Sequence, residues 1–138
     1  MRIQRISYSF IFFLLSACLM AQSHRDAYMQ GLQAIKYERY ETAIEKFKDA
    51  IKLNPQYADA WFYLGKTYDF LNKSEETISA YRNLEKVDSE YKNSIYYDIA
   101  KHYIKLDNLR SARIYIMPLM AQSRSHHRRL EVRKFKSC

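Results

Sequence analysis

The stretch Ala60-Trp61-Phe62-Tyr63-Leu64-Gly65-Lys66-Thr67-Tyr68 limits what this chain can fold into. Gly65 has a counterpart 34 residues earlier in Gly31, and Tyr81 has one in Phe47. A 34-residue period with small and aromatic residues at fixed offsets predicts stacked pairs of antiparallel helices. The spacings 27-31-34 and 61-64-65-68 put the recurring residues on one helical face. A helix pair cannot bury such a face alone, so neighbouring pairs must stack. About three pairs is the minimum for stability.

Composition agrees with this. A chain of 138 residues holds one domain at most. Two Gly and two Pro are too few for the many tight turns of a barrel or sandwich. Thirteen Tyr, seven Phe and one Trp supply aromatic wedges for the space between helices. The formal charge of +8 is unevenly spread. His24 to Ala100 carries 11 basic and 13 acidic residues, Lys101 to Ala121 carries 4 and 1, and Gln122 to Cys138 carries 6 and 1. The excess belongs mainly to the tail, so a uniformly basic nucleic-acid-binding surface is not supported.

Residues 1–23 have the build of a secretory signal. Arg2 and Arg5 form a positive start, no charge appears from Ile6 to Ser23, and Ile11-Phe12-Phe13-Leu14-Leu15 is the apolar centre. An uncleaved anchor helix is the alternative, since the uncharged run is close to the length of a membrane span. Two processing routes compete. Leu15-Ser16-Ala17-Cys18 resembles a bacterial lipobox, which makes Cys18 the candidate lipidation site. Ala21-Gln22-Ser23 offers the small-x-small pattern of ordinary cleavage, and Met-Ala-Gln resembles the export leaders of Bacteroidetes-type bacteria. Ordinary cleavage is preferred, because Leu19 and Met20 continue the apolar run past the cysteine. Either route places the mature chain in the periplasm or at the outer membrane. Ordinary cleavage would leave Cys138 as the only cysteine, a free or intermolecular thiol or a sign that the chain normally continues.

The repeat positions resemble the tetratricopeptide repeat (TPR) family, whose 34-residue units prefer certain residue types at positions 4, 7, 8, 11, 20, 24, 27 and 32. Residues 24–57 supply Ala27, Gln30, Gly31, Ala34, Ala43, Phe47, Ala50 and Pro55. Residues 58–91 supply Trp61, Leu64, Gly65, Tyr68, Thr77, Tyr81, Leu84 and Ser89, departing at Thr77 and lacking the Pro. Residues 93–126 follow after one inserted residue, absorbed by the loop 88–94, with Tyr96, Ile99, Ala100, Tyr103, Ala112, Ile116, Leu119 and Arg124. The expectation is an all-α TPR solenoid of three helix-turn-helix repeats over residues 24–126, with a basic C-terminal cap or tail over 127–138. Gly31, Gly65 and Ala100 are small where the helices of a unit cross. Ser74 reads as an N-cap. Pro118 falls inside an expected helix, which should stop near Met117 and restart with Pro118 in a first turn.

The resemblance also implies where binding sits. In the family, first helices line a concave groove. Its positions here are Tyr28, Leu32 and Lys36; Phe62, Lys66, Asp69 and Phe70; and Tyr97, Lys101 and Lys105. Rings beside ammonium groups suit a peptide or helix of acidic character. The competing reading packs the rings against neighbouring units and leaves the lysines solvated. The carboxylate clamp that some TPR proteins use for chaperone tails is missing, since Tyr28, Leu32, Tyr63, Ser94 and Asp98 occupy its positions.

No catalytic constellation is legible. His24, His102, His126 and His127 have no metal-ligand spacing, no glycine-rich phosphate loop occurs, and no nucleophile is placed near a His. Neither cofactor nor metal is expected. The basic tail 124–136 reads as a solvated capping face, a contact for an anionic membrane surface, or a docking segment. The sequence thus points to a non-enzymatic protein–protein interaction module of the bacterial envelope, binding a protein or peptide partner and no nucleic acid. The alternative is the N-terminal TPR segment of an OmpA-like envelope assembly or secretion protein, which the leader and repeat placement also resemble.

Overall fold

Small and aromatic residues recurring every 34 positions should make helix pairs, and they do. A computed structural model describes residues 24–136, with side chains through residue 124; the leader reading, including Cys18, lies outside the described residues. All regular structure among the described residues is helical: α1 (24–36), α2 (Tyr40–Leu53), α3 (Ala58–Phe70), α4 (Ser74–Val87), a short 3-10 turn (Ser89–Tyr91), α5 (Lys92–Lys105) and α6 (Leu109–Lys136). The expected all-α helix-turn-helix repeat is the fold observed. Contacts divide the chain into two compact units, with the boundary between Thr67 and Tyr68 inside α3.

Within each pair, the turn is built the same way three times. Glu38, Asn72 and Asp107 take positive φ, at 58°, 56° and 55°. The next amide then reaches back five residues: Arg39 N–H to Ala34 O, Lys73 N–H to Tyr68 O, and Asn108 N–H to Tyr103 O, at 2.9, 2.9 and 2.8 Å. This left-handed residue satisfies carbonyls that the ending helix leaves over. Asn and Asp tolerate it, whereas Glu does so at a cost of about 1–2 kcal/mol. Glu38→Asn, which copies Asn72, is therefore expected to raise stability by about 0.5–1 kcal/mol. Thermal unfolding checks this, and an unchanged or lowered midpoint would contradict the strain.

The second helices begin with a small buried residue: Ala43, Thr77 and Ala112 are at most 2% exposed. Thr77 fits an alanine position because its hydroxyl donates to Lys73 O at 2.7 Å. The inserted residue before the third repeat is taken up by the 3-10 turn, where the Asp88 carboxylate accepts from Glu90 N–H at 2.8 Å.

In the first unit, Phe47 fills the gap beneath Gly31, and both are buried. A Cβ on Gly31 would lie 2.5 Å from Phe47 Cε1, so the close approach requires glycine there. Ala27, Ala50 and Ala60 form an adjoining small-residue cluster with Tyr28, Ile51 and Tyr57 packed around it. The second unit centres on Tyr81, Leu84, Ile95 and Ile99, all fully buried.

Two expectations are corrected. Ser74 is not an N-cap: Lys73 holds that position without a side-chain capping bond, and α4 starts at Ser74. Its hydroxyl is engaged elsewhere, as described below. Pro118 does not divide the last helix, because α6 runs continuously from Leu109 to Lys136 with Pro118 inside it. Proline lacks an N–H for the carbonyl of residue i−4, here Ile114. Both Pro118 and Ile114 are exposed, so the ring meets no packed neighbour and water can satisfy the freed carbonyl. Among the described residues, no helix is long and apolar enough to cross a membrane.

Candidate functional site

The predicted first-helix residues fall into two groups, one in each unit. In the first, α1 carries Tyr28, Leu32 and Lys36, and α3 carries Phe62 and Lys66. Tyr28 is half-buried, its ring 5.9 Å from Phe47, 5.2 Å from Tyr57 and 5.8 Å from Tyr63. It is thus part of the packing within the unit. Leu32 is half-buried and Lys36 exposed. Phe62 and Lys66 are i, i+4 neighbours on α3, with Lys66 Nζ 5.8 Å from the Phe62 ring centroid. An ammonium over a ring face at this distance is a cation–π pair. The Phe62 ring also meets Tyr63 edge-on at 5.5 Å.

In the second unit, α3 ends with Asp69 and Phe70, and α5 carries Tyr97, Lys101 and Lys105. Phe70 and Tyr97 are 64% and 67% exposed, a large presentation of apolar area for aromatic rings. Lys105 Nζ donates to Asn72 Oδ1 at 2.8 Å. Lys101 is held in place by carboxylates: its Nζ lies 2.9 and 3.1 Å from the two Asp69 oxygens and 3.5 Å from Asp98 Oδ1. Partial burial works against the Lys101 charge, yet Asp69 and Asp98 hold its pKa above the ordinary lysine value. Burial likewise pushes Asp69 toward the neutral acid, but hydrogen bonds and charge from Lys101 and His102 keep its carboxyl below the usual range.

His102 is the residue that sequence reasoning missed. Its side chain is fully buried, with Nε2 2.8 Å from Asp69 Oδ1 and Nδ1 2.9 Å from Ser74 Oγ. The expectation that no nucleophile stands near a His is therefore wrong: a Ser, a His and an Asp are joined in series. The available signal was register, because His102 takes the repeat offset of Thr67, itself 3% exposed. This row does not have the access that nucleophilic catalysis requires. A general base must reach the proton of a bound reactant, and His102 presents no surface to solvent. Its carboxylate partner is also shared with Lys101. The row ties the α3–α4 turn to α5. Among the described residues, no group of three or more His, Cys, Asp or Glu could hold a metal ion.

Residues 33–69 match a family model described as the TPR repeat. No curated protein matches the chain. Among solved structures, a MamA protein is 26% identical over 68% of this chain and 51% of its own, with a TM-score of 0.63. A second MamA structure is 24% identical over 77% and 61%, with a TM-score of 0.67. MamA from Desulfovibrio magneticus RS-1 is 22% identical over 72% and 55%, with a TM-score of 0.61. The chain thus spans between about half and three-fifths of these proteins. The family match over residues 33–69, the three turns built alike and the shared fold agree: the chain carries a tetratricopeptide repeat within an array of helix pairs.

Proposed function

We propose that this chain is a non-enzymatic protein-interaction module of the bacterial cell envelope, which binds a peptide or partner protein through the first-helix faces of its repeats. The observation that carries the reading is Phe62 with Lys66 on α3, a ring and an ammonium 5.8 Å apart. Such a pair offers apolar area and a cation in one patch, the combination that suits an acidic peptide or helix. On α5, Tyr97 adds a ring that is 67% exposed, and Lys105 adds a cation two turns further along. TPR proteins as a family bind protein partners, and this favours binding over chemistry.

The envelope assignment rests on the leader. Removal of residues 1–23 would leave the chain in the periplasm, and lipidation of Cys18 would tether it to a membrane. The basic tail 124–136 would add contact with an anionic membrane surface. Mass spectrometry of the mature N-terminus separates the routes, since a diacylglyceryl group on Cys18 is incompatible with cleavage after Ala21.

For the binding face, the immobilised chain is expected to capture a partner from a bacterial envelope fraction. Phe62→Ala or Lys66→Glu should reduce that capture by at least about tenfold, the loss expected of a central aromatic anchor, with the helical circular dichroism unchanged. An unchanged partner set in both variants would move binding off α3.

A further inference from the structure

We propose that the cleft between α5 and α6 is a seat for an amphipathic helix of another protein, one with a small residue and an aromatic three positions later on its apolar edge, and acidic residues on its flank. The cleft has a volume of about 510 Å³ and is lined by the apolar residues Tyr97, Ala100, Ile104, Ile116, Leu119 and Met120, together with Lys101 and Lys105.

The repeat register says what such a cleft holds. Offsetting the third repeat by 69 positions maps Tyr97 onto Tyr28, Ala100 onto Gly31, Ile116 onto Phe47, Leu119 onto Ala50 and Met120 onto Ile51. In the first unit Tyr28, Phe47, Ala50 and Ile51 of this set pack with residues of α3. Tyr63 sets its ring 5.8 Å from Tyr28 and 6.0 Å from Phe47, and Ala60 joins Ala27 and Ala50 with Tyr28 and Ile51 packed against them. Ala60 and Tyr63 are the small residue and the aromatic three positions on. In the third repeat the set is partly open: Tyr97 is 67% exposed and Met120 52%, with Ile104 beside them at 50%, while Ile116 and Leu119 are half-buried and Ala100 is buried. Uncovered apolar area of this kind is where a repeat array takes a further helix.

Charge selects the occupant. The charged residues lining the cleft are both basic, Lys101 and Lys105, and Lys101 is itself ion-paired with Asp69 and Asp98. Two copies meeting through this face would oppose like charges. A head-to-tail copy would present α1, whose residues at the offsets of Ala60 and Tyr63 are Asp26 and Met29. That would put a carboxylate into an apolar seat, which the loss of its hydration opposes. A foreign helix with acids beside its apolar edge avoids both penalties. The seat shares Tyr97, Lys101 and Lys105 with the binding face proposed above, but depends on α6, which that face does not include.

The probe is a labelled peptide of residues 57–70 of this chain, which carries Ala60, Tyr63, Asp59 and Asp69. Titrated with the full chain in fluorescence anisotropy, it should bind saturably, with a Kd of about 1–100 µM. Met120→Glu and Ile104→Glu, both at exposed positions, should each weaken binding by at least about tenfold, as expected for a charge set into an apolar contact. Lys105→Glu should weaken it by about threefold, the scale of an exposed ion pair. Phe62→Ala in the chain should leave it unchanged, which separates the seat from the α3 binding face. Absence of saturable binding at about 1 mM (an affinity near −4 kcal/mol) would overturn the proposal, as would indifference to both Glu variants. Sedimentation velocity should show a monomer. A dimer that Met120→Glu dissociates would assign the cleft to a second copy and overturn the foreign-helix reading.

Discussion

Phe47→Ala is expected to lower stability by about 3–5 kcal/mol, close to the whole stability of a small domain. Phe47 is fully buried, and its ring closes against Tyr28 and Tyr63 as well as beneath Gly31. Truncation would lose the transfer energy of the ring and leave a cavity that helices fixed at both ends cannot collapse. The counterpart on α1 tests the same contact from the other side. Alanine at a helical glycine normally gains about 1 kcal/mol. At Gly31 the new Cβ meets the Phe47 ring at 2.5, 2.7 and 2.9 Å, so the ring must move. Overpacking of this kind costs about 1–3 kcal/mol, which exceeds the gain. Urea unfolding of both variants measures the two effects. A Gly31→Ala variant more stable than the parent would show that the helices separate more easily than this geometry allows.

His102→Ala is expected to cost about 3–4 kcal/mol, from a buried cavity and two lost hydrogen bonds. A carboxylate only accepts, so in the neutral ring Nε2–H donates to Asp69 and Nδ1 accepts from the Ser74 hydroxyl. His102→Leu keeps most of the volume and should cost less, about 1–3 kcal/mol, since it still leaves Asp69 and Ser74 each short of a partner. Acid exposes the same network. The Asp69 carboxyl is held below its ordinary value in the folded chain, so its contribution is fully present above about pH 4, the ordinary carboxyl value. It is lost as pH falls through the folded value. Asp69→Asn should therefore be less stable than the parent at pH 7, and the gap should close as pH is lowered toward 3. A gap that stays constant with pH would mean that Asp69 is not ionised in this network.

Spacing made the pairing of helices legible. Ala43, Phe47 and Ala50 were placed on the buried side of α2 by the 34-residue period, and all three are fully buried. Ile99, Ala100 and Ala112 were placed likewise through the one-residue insertion, and are at most 2% exposed. A period reports which face of a helix is covered. It does not report which polar atoms meet there. Asp69, Ser74 and His102 lie 28 and 33 residues apart in pairs, and only the crossing of α3, α4 and α5 brings their atoms within 3 Å. Pro118 shows a different limit. Its rule assumes a packed helix interior, whereas this part of α6 is exposed and the helix continues. On the candidate binding residues, register named the helix correctly but not the engagement. Tyr28 turned out to be packed among Phe47, Tyr57 and Tyr63, and Lys101 to be ion-paired with Asp69.

Site-specific photo-crosslinking tests most directly the claim that binding belongs to the first helices. A photoreactive phenylalanine analogue is placed in turn at Phe62, Lys66 and Tyr97, and at Lys48 and Ser79 on α2 and α4, then irradiated with an envelope fraction. A common adduct is expected from positions 62, 66 and 97, and none from 48 and 79. Adducts from 48 and 79 alone would place the partner on the second helices and contradict it.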